Sequence, residues 1–209
     1  MRWFLRVGAL ALTGSLAAAA AVAGEEAGLP VFPGATARPE VARAVEAYYR
    51  AGVGSDRDLS AVVYETSAPF DRVYAFYGPK MDEGKWGWRR RRQPLEAHAA
   101  ALRFMRARLL ASSGAQGRLP SVFRPLFGDP ALDEAEFAAR LERLVRRFSG
   151  VQVEIGEGTR TMREGPARGQ VRLTIERPYV DLERMRLVDR TRLVVVRVSD
   201  RPPAGAVAR

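Results

Sequence analysis

The chain has 209 residues, no cysteine, a single histidine and a formal net charge of +10 at neutral pH. Without cysteine it can form neither a disulfide framework nor an iron–sulfur or cysteine-ligated zinc site, and a lone histidine excludes a two-histidine metal motif. With 47% hydrophobic and 9% aromatic residues, the composition is that of a folded protein able to bury a core. These values describe a basic globular domain and do not identify a biochemical activity.

The N-terminal segment has the pattern of an export signal. Arg2 and Arg6 precede a stretch from Val7 to Val22 that has no ionisable residue. The segment ends on Ala21-Val22-Ala23, the small-x-small pattern of a signal-peptidase site. We therefore predict a signal peptide at residues 1–23 and export to the periplasm or the extracellular space. The alternative is a retained anchor, although the apolar stretch is shorter than the roughly 20 residues of a membrane-spanning helix.

Periodicity predicts two helices and one strand in the first part of the mature chain. Apolar residues at helical spacing predict a helix from Glu40 to Ala51, which Gly52 ends. The β-branched and aromatic run Ser60–Thr66 predicts a strand. This strand leads into a helix that Ser67 can cap. The predicted buried stripe of that helix is Phe70, Val73, Tyr74 and Tyr77.

The middle of the chain is predicted to be a basic helical insertion at about residues 80–148. Pro94 follows the tetrad Arg89–Arg92 and opens a predicted helix that reaches about Ala111. Residues 112–130 are rich in serine, glycine and proline and are predicted to form a loop. The helix predicted from Ala131 to Phe148 has acidic residues early and arginines late, the order that complements the helix dipole.

The last sixty residues are predicted to form β structure. Val151–Ile155 and Gln170–Glu176 alternate between apolar and polar residues, and a polar loop at 156–169 is predicted to join them. Leu182–Val188 and Arg192–Val198 predict a β-hairpin. The run from Leu193 to Val196 is apolar on both faces and predicts a central strand.

The predicted fold class is α+β: a mainly antiparallel sheet of about four to six strands, with helices packed on one face and a helical insertion. The predicted single domain spans residues 24–201, and residues 202–209 are predicted to be a flexible tail. No further membrane-spanning segment is predicted in the mature chain. The sequence does not define the oligomeric state.

The positive charge is concentrated in one segment. Between Lys80 and Arg124, eleven basic residues stand against three acidic ones, a net charge of +8 that equals the charge of the whole predicted mature chain. In one interpretation this segment forms a basic and aromatic patch for an anionic partner, because guanidinium groups pair with phosphate or carboxylate and indoles stack on rings or lie at membrane interfaces. In the other, the tryptophans pack into the core and the arginines form a solvated face. The candidate binding residues are Trp86, Trp88, Arg89, Arg90, Arg91, Arg92, Arg103 and Arg106.

Export limits the partners and cofactors that are expected. The anionic partners available to an exported protein are lipid headgroups, lipopolysaccharide and wall polymers, and nucleic acid is not expected despite the basic charge. No cofactor and no metal site are predicted. The leading hypothesis is therefore a non-enzymatic exported binding module for an anionic envelope partner.

Few residues are candidates for catalysis. His98 lies on the apolar side of its predicted helix, where a hydrogen-bonded, packed histidine is expected rather than a general base. Two carboxylate pairs could support glycoside hydrolysis: Asp181 with Glu183, or Glu154 with Glu176 across neighbouring strands. All four stand among arginines, as residues in cross-strand ion pairs do. The alternative hypothesis is thus an exported carboxylate-dependent hydrolase, which requires Asp181 or Glu176 recessed in a pocket that faces a second carboxylate.

Three segments resemble a loose group of small exported bacterial proteins of unknown function. Leu29–Ala35 is similar to the "PvyPGA" opening of that group, and Tyr64–Tyr77 resembles its strand–helix segment with a "V-x-x-FY" ending. Glu176–Asp181, followed by Asp189–Val195, resembles its closing β segment. The resemblance implies a secreted α+β domain and supplies no catalytic residues. The stretch 80–148 departs from the pattern as an insertion.

Overall fold

The computed structural model describes residues 28–51, 57–82, 87–112, 118–162 and 169–200. The predicted signal peptide, the predicted tail and Trp86 lie outside these ranges. The described strands are β1 (Thr36–Ala37), β2 (Arg57–Thr66), β3 (Arg89–Pro94), β4 (Gln152–Met162), β5 (Gly169–Arg177), β6 (Tyr179–Asp181), β7 (Arg186–Val188) and β8 (Thr191–Asp200). The described α-helices are α1 (Pro39–Arg50), α2 (Phe70–Tyr77), α3 (Leu95–Ser112), α4 (Arg124–Phe127) and α5 (Glu134–Arg147).

Six of these strands form one antiparallel sheet in the order β1-β2-β8-β5-β4-β3. This confirms the predicted α+β class with a mainly antiparallel sheet. The strand β8 lies between β2 and β5, as predicted for a run that is apolar on both faces. The arginine tetrad forms most of β3, which lies at the edge of the sheet and pairs only with β4 among the described strands.

The predicted hairpin between Leu182–Val188 and Arg192–Val198 is wrong. Instead, β7 pairs with β6 in a separate two-stranded ladder, and β8 enters the large sheet. The physical reason is burial: Leu193 and Val195 of β8 pack on one face of the sheet and Val196 on the other. A strand that is buried on both faces needs neighbours on both sides, and β2 and β5 provide them.

The loop predicted at 156–169 is also wrong in its first part, because β4 continues to Met162. Two glycines interrupt the apolar alternation there, and both allow a close approach by an aromatic ring. A Cβ on Gly156 would lie 2.7 Å from a ring carbon of Tyr74, and one on Gly158 would lie 2.9 Å from a ring carbon of Trp88. The glycines therefore mark packing inside a strand rather than a turn.

Helices cover both faces of the sheet, whereas the sequence predicted helices on one face. On the first face, which carries Tyr64, Leu173, Ile175, Leu193 and Val195, the covering residues are Phe70, Val73 and Tyr77 of α2 together with Leu29 and Phe32. On the second face, which carries Val63, Val153, Ile155 and Val196, α1 covers one part and α3, α4 and α5 cover another. Neighbouring residues of a strand point to opposite faces. Burial of both Val63 and Tyr64 therefore requires two covering layers.

None of the helices in the described ranges is long and apolar enough to cross a membrane.

Candidate functional site

The arginines of β3 alternate between the two faces of the sheet. Arg90 and Arg92 lie on the first face, where an Nη2 atom of each is 2.7 Å from Oε1 of Glu154 on β4. Arg90 also contacts Asp71 of α2, with an N–O distance of 2.6 Å. On this side of the edge strand two guanidinium groups therefore meet two carboxylates, and the charges balance.

The pKa of Glu154 leads to a prediction about stability and pH. Burial raises the pKa of this carboxyl, but hydrogen bonds from Arg92 and Arg90 and the positive charges of both arginines together lower it more, so the pKa lies below its ordinary value of 4.5. A carboxylate whose pKa is depressed by folding stabilises the protein above its unfolded pKa, and this stabilisation is lost as the pH falls through the folded pKa. The free energy of unfolding should therefore decrease between about pH 5 and pH 3.

The Glu154→Gln variant should be less stable than the wild type at neutral pH and should lose less stability on acidification. Urea denaturation at a series of pH values measures how the free energy of unfolding of each protein changes with pH. If the two proteins lost stability in parallel, the ion pairs of Glu154 would not be the cause.

On the second face, three arginines converge on one carboxylate. Arg89 Nη2 lies 3.4 Å and Arg91 Nε lies 3.8 Å from Glu157 Oε1, while Arg172 Nη2 of β5 lies 4.0 Å from Oε2. The three arginine side chains are 56%, 52% and 52% exposed. We call these four residues the Glu157 cluster. It carries three positive charges against one negative charge, and its guanidinium groups are open to solvent.

The structure places Trp88 in the packing beside the arginines. Its ring stacks on Tyr74 with centroids 4.6 Å apart, and it packs against the core of the first face. Its buried Nε1 has no hydrogen-bond partner among the described residues. Trp88 is therefore half-buried rather than presented to a partner, and Trp86, predicted beside it, lies outside the described residues.

The other two predicted binding residues, Arg103 and Arg106, lie on α3 and form ion pairs with α5. Arg106 of α3 is fully buried, and its Nη1 lies 3.0 Å from Oε2 of Glu134 on α5. Its guanidinium group also donates to the carbonyl oxygens of Phe127 and Leu132 and lies 4.4 Å from the ring centre of Phe137. Exposed Arg103 binds the same Glu134 at 2.8 Å. These two arginines therefore join α3 to α5, and Arg106 is not accessible to a partner.

A line of mostly buried charged residues crosses strands β2, β8 and β5 on the second face of the sheet. The strand register places Glu65 of β2, Arg192 of β8 and Glu176 of β5 side by side. Arg192 Nη2 lies 3.5 Å from Glu65 Oε1, and Arg192 Nη1 lies 3.7 Å from Glu176 Oε1. The line continues to His98 of α3, whose Nε2 lies 3.7 Å from Glu176 Oε2. We call these four residues the polar row.

His98 is the packed, hydrogen-bonded histidine that its helix position predicted. It is buried, and its Nδ1 lies 3.0 Å from the side-chain nitrogen of Gln93. An amide nitrogen only donates, so Nδ1 is placed to accept from Gln93, and Nε2 is the ring nitrogen that faces Glu176. Both ring nitrogens thus have a polar neighbour.

Glu65, at the other end of the row, has three polar neighbours. The hydroxyl of Tyr179 donates to Glu65 Oε1 at 2.6 Å, and Arg38 Nη1 lies 3.5 Å from Oε2. The guanidinium carbon of Arg192 lies 3.4 Å from the ring centre of Tyr179. Burial, followed by the hydrogen bond to Glu65, raises the pKa of Tyr179. A buried carboxylate thus lies between two arginines and a tyrosine hydroxyl.

A cleft of about 590 Å³ opens beside this end of the row. Buried Asp181 accepts hydrogen bonds there from the backbone nitrogen of Arg184 (3.1 Å), from Arg184 Nη1 (3.3 Å) and from Arg186 Nε (3.1 Å). Burial raises the pKa of Asp181, but these hydrogen bonds and the positive charge of Arg184 together lower it more, and the pKa lies below its ordinary value. Asp181 is therefore ionised at neutral pH. The charged residues that line the cleft are Arg38, Arg184, Arg186, Arg190, Arg192, Glu40, Glu65, Asp181, Glu183 and Asp189.

The structure separates one of the two predicted carboxylate pairs and keeps the other. Glu176 pairs in register with Ile155, so Glu154 and Glu176 point to opposite faces of the sheet and do not form a site. Asp181 and Glu183 both line the cleft, where Asp181 is recessed and Glu183 is exposed.

Sequence reasoning missed three residues that define the recessed part of the cleft: Glu65, Tyr179 and Arg192. One signal was available for Glu65. The side chains of Leu59, Ala61 and Val63 share a strand face with it, and the first three positions are apolar. A charged residue at the fourth position of such a series indicates a buried, paired carboxylate. Its partners come from distant parts of the chain and leave no local pattern.

No group of three or more histidine, aspartate or glutamate side chains within the described ranges could hold a metal ion. Comparisons of the chain with protein-family models, with curated proteins and with solved structures found no match.

Proposed function

We propose that this protein is an exported, non-enzymatic binding module whose Glu157 cluster contacts phosphate groups of an anionic envelope partner. The observation that carries the proposal is the convergence of Arg89, Arg91 and Arg172 on the single carboxylate of Glu157. The signal-peptide pattern at residues 1–23 supports export.

The geometry of the cluster favours exchange of its internal ion pairs for a ligand. Its N–O distances, 3.4 to 4.0 Å, exceed those of strong charge-assisted hydrogen bonds. Exposed ion pairs of this kind contribute only about 0–1 kcal/mol. A phosphate group offers several acceptor oxygens to guanidinium forks, so replacing the loose contacts with Glu157 costs little and adds charge-assisted hydrogen bonds.

Binding also accounts for the cleft better than the alternative of a carboxylate-dependent hydrolase. Glycoside hydrolysis with two carboxyl groups requires one of them to be protonated as a general acid. Asp181 is held ionised by Arg184 and Arg186. The hydroxyl of Tyr179 already donates a hydrogen bond to Glu65. The recessed groups of the cleft therefore form ion pairs, and the partner of Asp181 in the predicted carboxylate pair, Glu183, is exposed.

The proposal is tested with the triple variant Arg89→Gln/Arg91→Gln/Arg172→Gln. Co-sedimentation with phosphatidylglycerol vesicles measures binding to a phosphate-bearing surface. Each arginine near an anionic membrane contributes about 1 kcal/mol, so the loss of three should weaken binding by about a hundredfold. Vesicles of phosphatidylcholine, in which a choline cation offsets each phosphate charge, should bind neither protein.

The matched control is Arg143→Gln/Arg146→Gln/Arg147→Gln, which removes three exposed arginines from α5 and gives the same net charge. It should retain most of the binding. Equal weakening in both triple variants would show that total charge matters and the cluster does not. Unchanged binding of the first variant would refute the proposal.

A further inference from the structure

The cleft beside the polar row has the size of a small-molecule site but a charged lining. Its volume of about 590 Å³ falls within the usual range for ligand pockets. It lies between the start of α1, the ladder of β6 and β7, and the ends of β2 and β8. Charged side chains and one tyrosine hydroxyl predominate among its lining residues. A ligand that fits this cleft must therefore carry hydrogen-bonding groups on most of its surface.

The cleft is lined by five arginines and five carboxylates, so its charges balance in number. Of the lining carboxylates, only Glu65 and Asp181 are buried, and each lies between two arginines. Four guanidinium groups therefore face two buried carboxylates. The remaining acids of the cleft, Glu40, Glu183 and Asp189, are more exposed, and so are Arg184 and Arg186, so solvent and salt screen these charges.

The buried guanidinium group of Arg192 is held by two long ion pairs and keeps one unpaired donor. The residue is only 9% exposed, and its two ion pairs, at 3.5 and 3.7 Å, are longer than normal hydrogen bonds. Its buried Nε has no hydrogen-bond partner among the described residues. Buried donors are almost always paired in folded proteins. The stacking of this guanidinium group on Tyr179 holds it in place at the wall of the cleft.

A carboxylate group of a ligand matches such a guanidinium group, because planar carboxylates accept two parallel hydrogen bonds from arginine. Next to it, Glu65 and Asp181 are acceptors that suit ligand hydroxyl groups. A hydroxyl group can donate to a carboxylate and accept from an arginine at once. The alternation of acids and arginines along the cleft therefore suits a molecule with several hydroxyl groups.

We propose that this cleft binds a small polyhydroxylated carboxylate of the sugar-acid class, with its carboxylate on Arg192 and Arg38 and its hydroxyl groups on Glu65 and Asp181. This site is separate from the Glu157 cluster and does not depend on the proposed function of that cluster.

Isothermal titration calorimetry of the wild-type protein with three probes tests the inference. Glucuronate carries both required groups, glucose lacks the carboxylate, and cyclohexanecarboxylate lacks the hydroxyl groups. Glucuronate should bind saturably at one site, and the other two probes should bind at least tenfold more weakly. Failure of glucuronate to bind, or equal affinity for glucose, would overturn the inference.

Two variants locate the binding. Arg38→Gln removes a half-buried arginine and should weaken glucuronate binding at least tenfold. If this variant does not fold, Arg186→Gln, whose side chain is exposed on β7, tests the other buried carboxylate with the same expectation. The control Arg172→Gln alters the Glu157 cluster and should leave glucuronate affinity unchanged. Wild-type affinity in the folded Arg38 or Arg186 variant would contradict the assignment to this cleft.

Discussion

Replacement of Arg106 by alanine should lower the free energy of unfolding by about 2–5 kcal/mol, the range expected when a large buried side chain is truncated. The Arg106 side chain is fully buried and binds Glu134 and two backbone carbonyl oxygens. Alanine would leave these carbonyl groups unpaired and create a cavity beside Phe137. Urea denaturation followed by circular dichroism measures the change.

The matched control for this substitution is Arg103→Ala. Arg103 binds the same carboxylate of Glu134, but its side chain is 55% exposed, so its removal should cost no more than about 1 kcal/mol. If both substitutions lowered the free energy of unfolding by a similar amount, the structural role assigned to buried Arg106 would be wrong.

Substitution of Glu65 by glutamine should lower the free energy of unfolding by about 3 kcal/mol. The amide keeps the size of the side chain and an acceptor for the hydroxyl of Tyr179. It removes the negative charge that faces Arg192, which is nine-tenths buried, and Arg38. Arg192 would then keep only its 3.7 Å ion pair with Glu176. Urea denaturation at neutral pH provides the measurement.

Glu46→Gln serves as the control for this prediction. Glu46 forms a helical ion pair with Arg50 one turn away on α1, and such pairs contribute about 0.2–0.5 kcal/mol. If Glu65→Gln lowered the free energy of unfolding as little as Glu46→Gln, the polar row would not be a paired buried network.

Local patterns in the sequence were sufficient to predict most elements of the fold. Helix α1 extends over Pro39–Arg50, where the periodicity of Val41 and Val45 predicts a helix. Helix α5 begins at Glu134, three residues after the predicted start, because the side chain of Asp133 accepts a hydrogen bond from Glu136 N and caps the helix there. Such errors arise because several residues near a helix start can act as caps.

Long-range pairing could not be predicted in the same way. The segment Leu182–Val188 precedes β8 directly and has a turn after it, so a hairpin is the local expectation. In the structure, β7 of this segment pairs with β6, because β8 is buried between β2 and β5 and has both of its neighbours there. Alternation also fails at Gly156 and Gly158, because the rings that fill the space above them come from α2 and from Trp88.

In the candidate sites too, local patterns were predictable from the sequence and long-range contacts were not. The sequence identifies the basic tetrad Arg89–Arg92, but not that its members point alternately to Glu154 and Glu157. That division depends on the edge position of β3 and on its register with β4. Arg172, a member of the Glu157 cluster, lies on β5 and has no sequence signal that connects it to the tetrad. Charge density along the chain thus locates a basic segment without showing which guanidinium groups share a carboxylate.

The second face of the sheet carries both proposed sites, at different places. Arg89, Arg91 and Arg172 are half exposed around one carboxylate, whereas Arg192 is buried between Glu65 and Glu176. Exposure determines the expected chemistry, because exposed guanidinium groups attract an extended polyanion and recessed ones bind a small ligand. The arginine-to-glutamine variants separate the two roles.

The role of the Glu157 cluster is tested most directly by the salt dependence of binding to soluble linear polyphosphate. On a flexible polyanion, each charged contact contributes about 0.7 to the slope of log K against log salt concentration. The slope for Arg89→Gln/Arg91→Gln/Arg172→Gln should therefore be shallower than the wild-type slope by about 2. The α5 triple variant should keep the wild-type slope. Identical slopes for the wild type and the cluster variant would contradict phosphate binding by these three arginines.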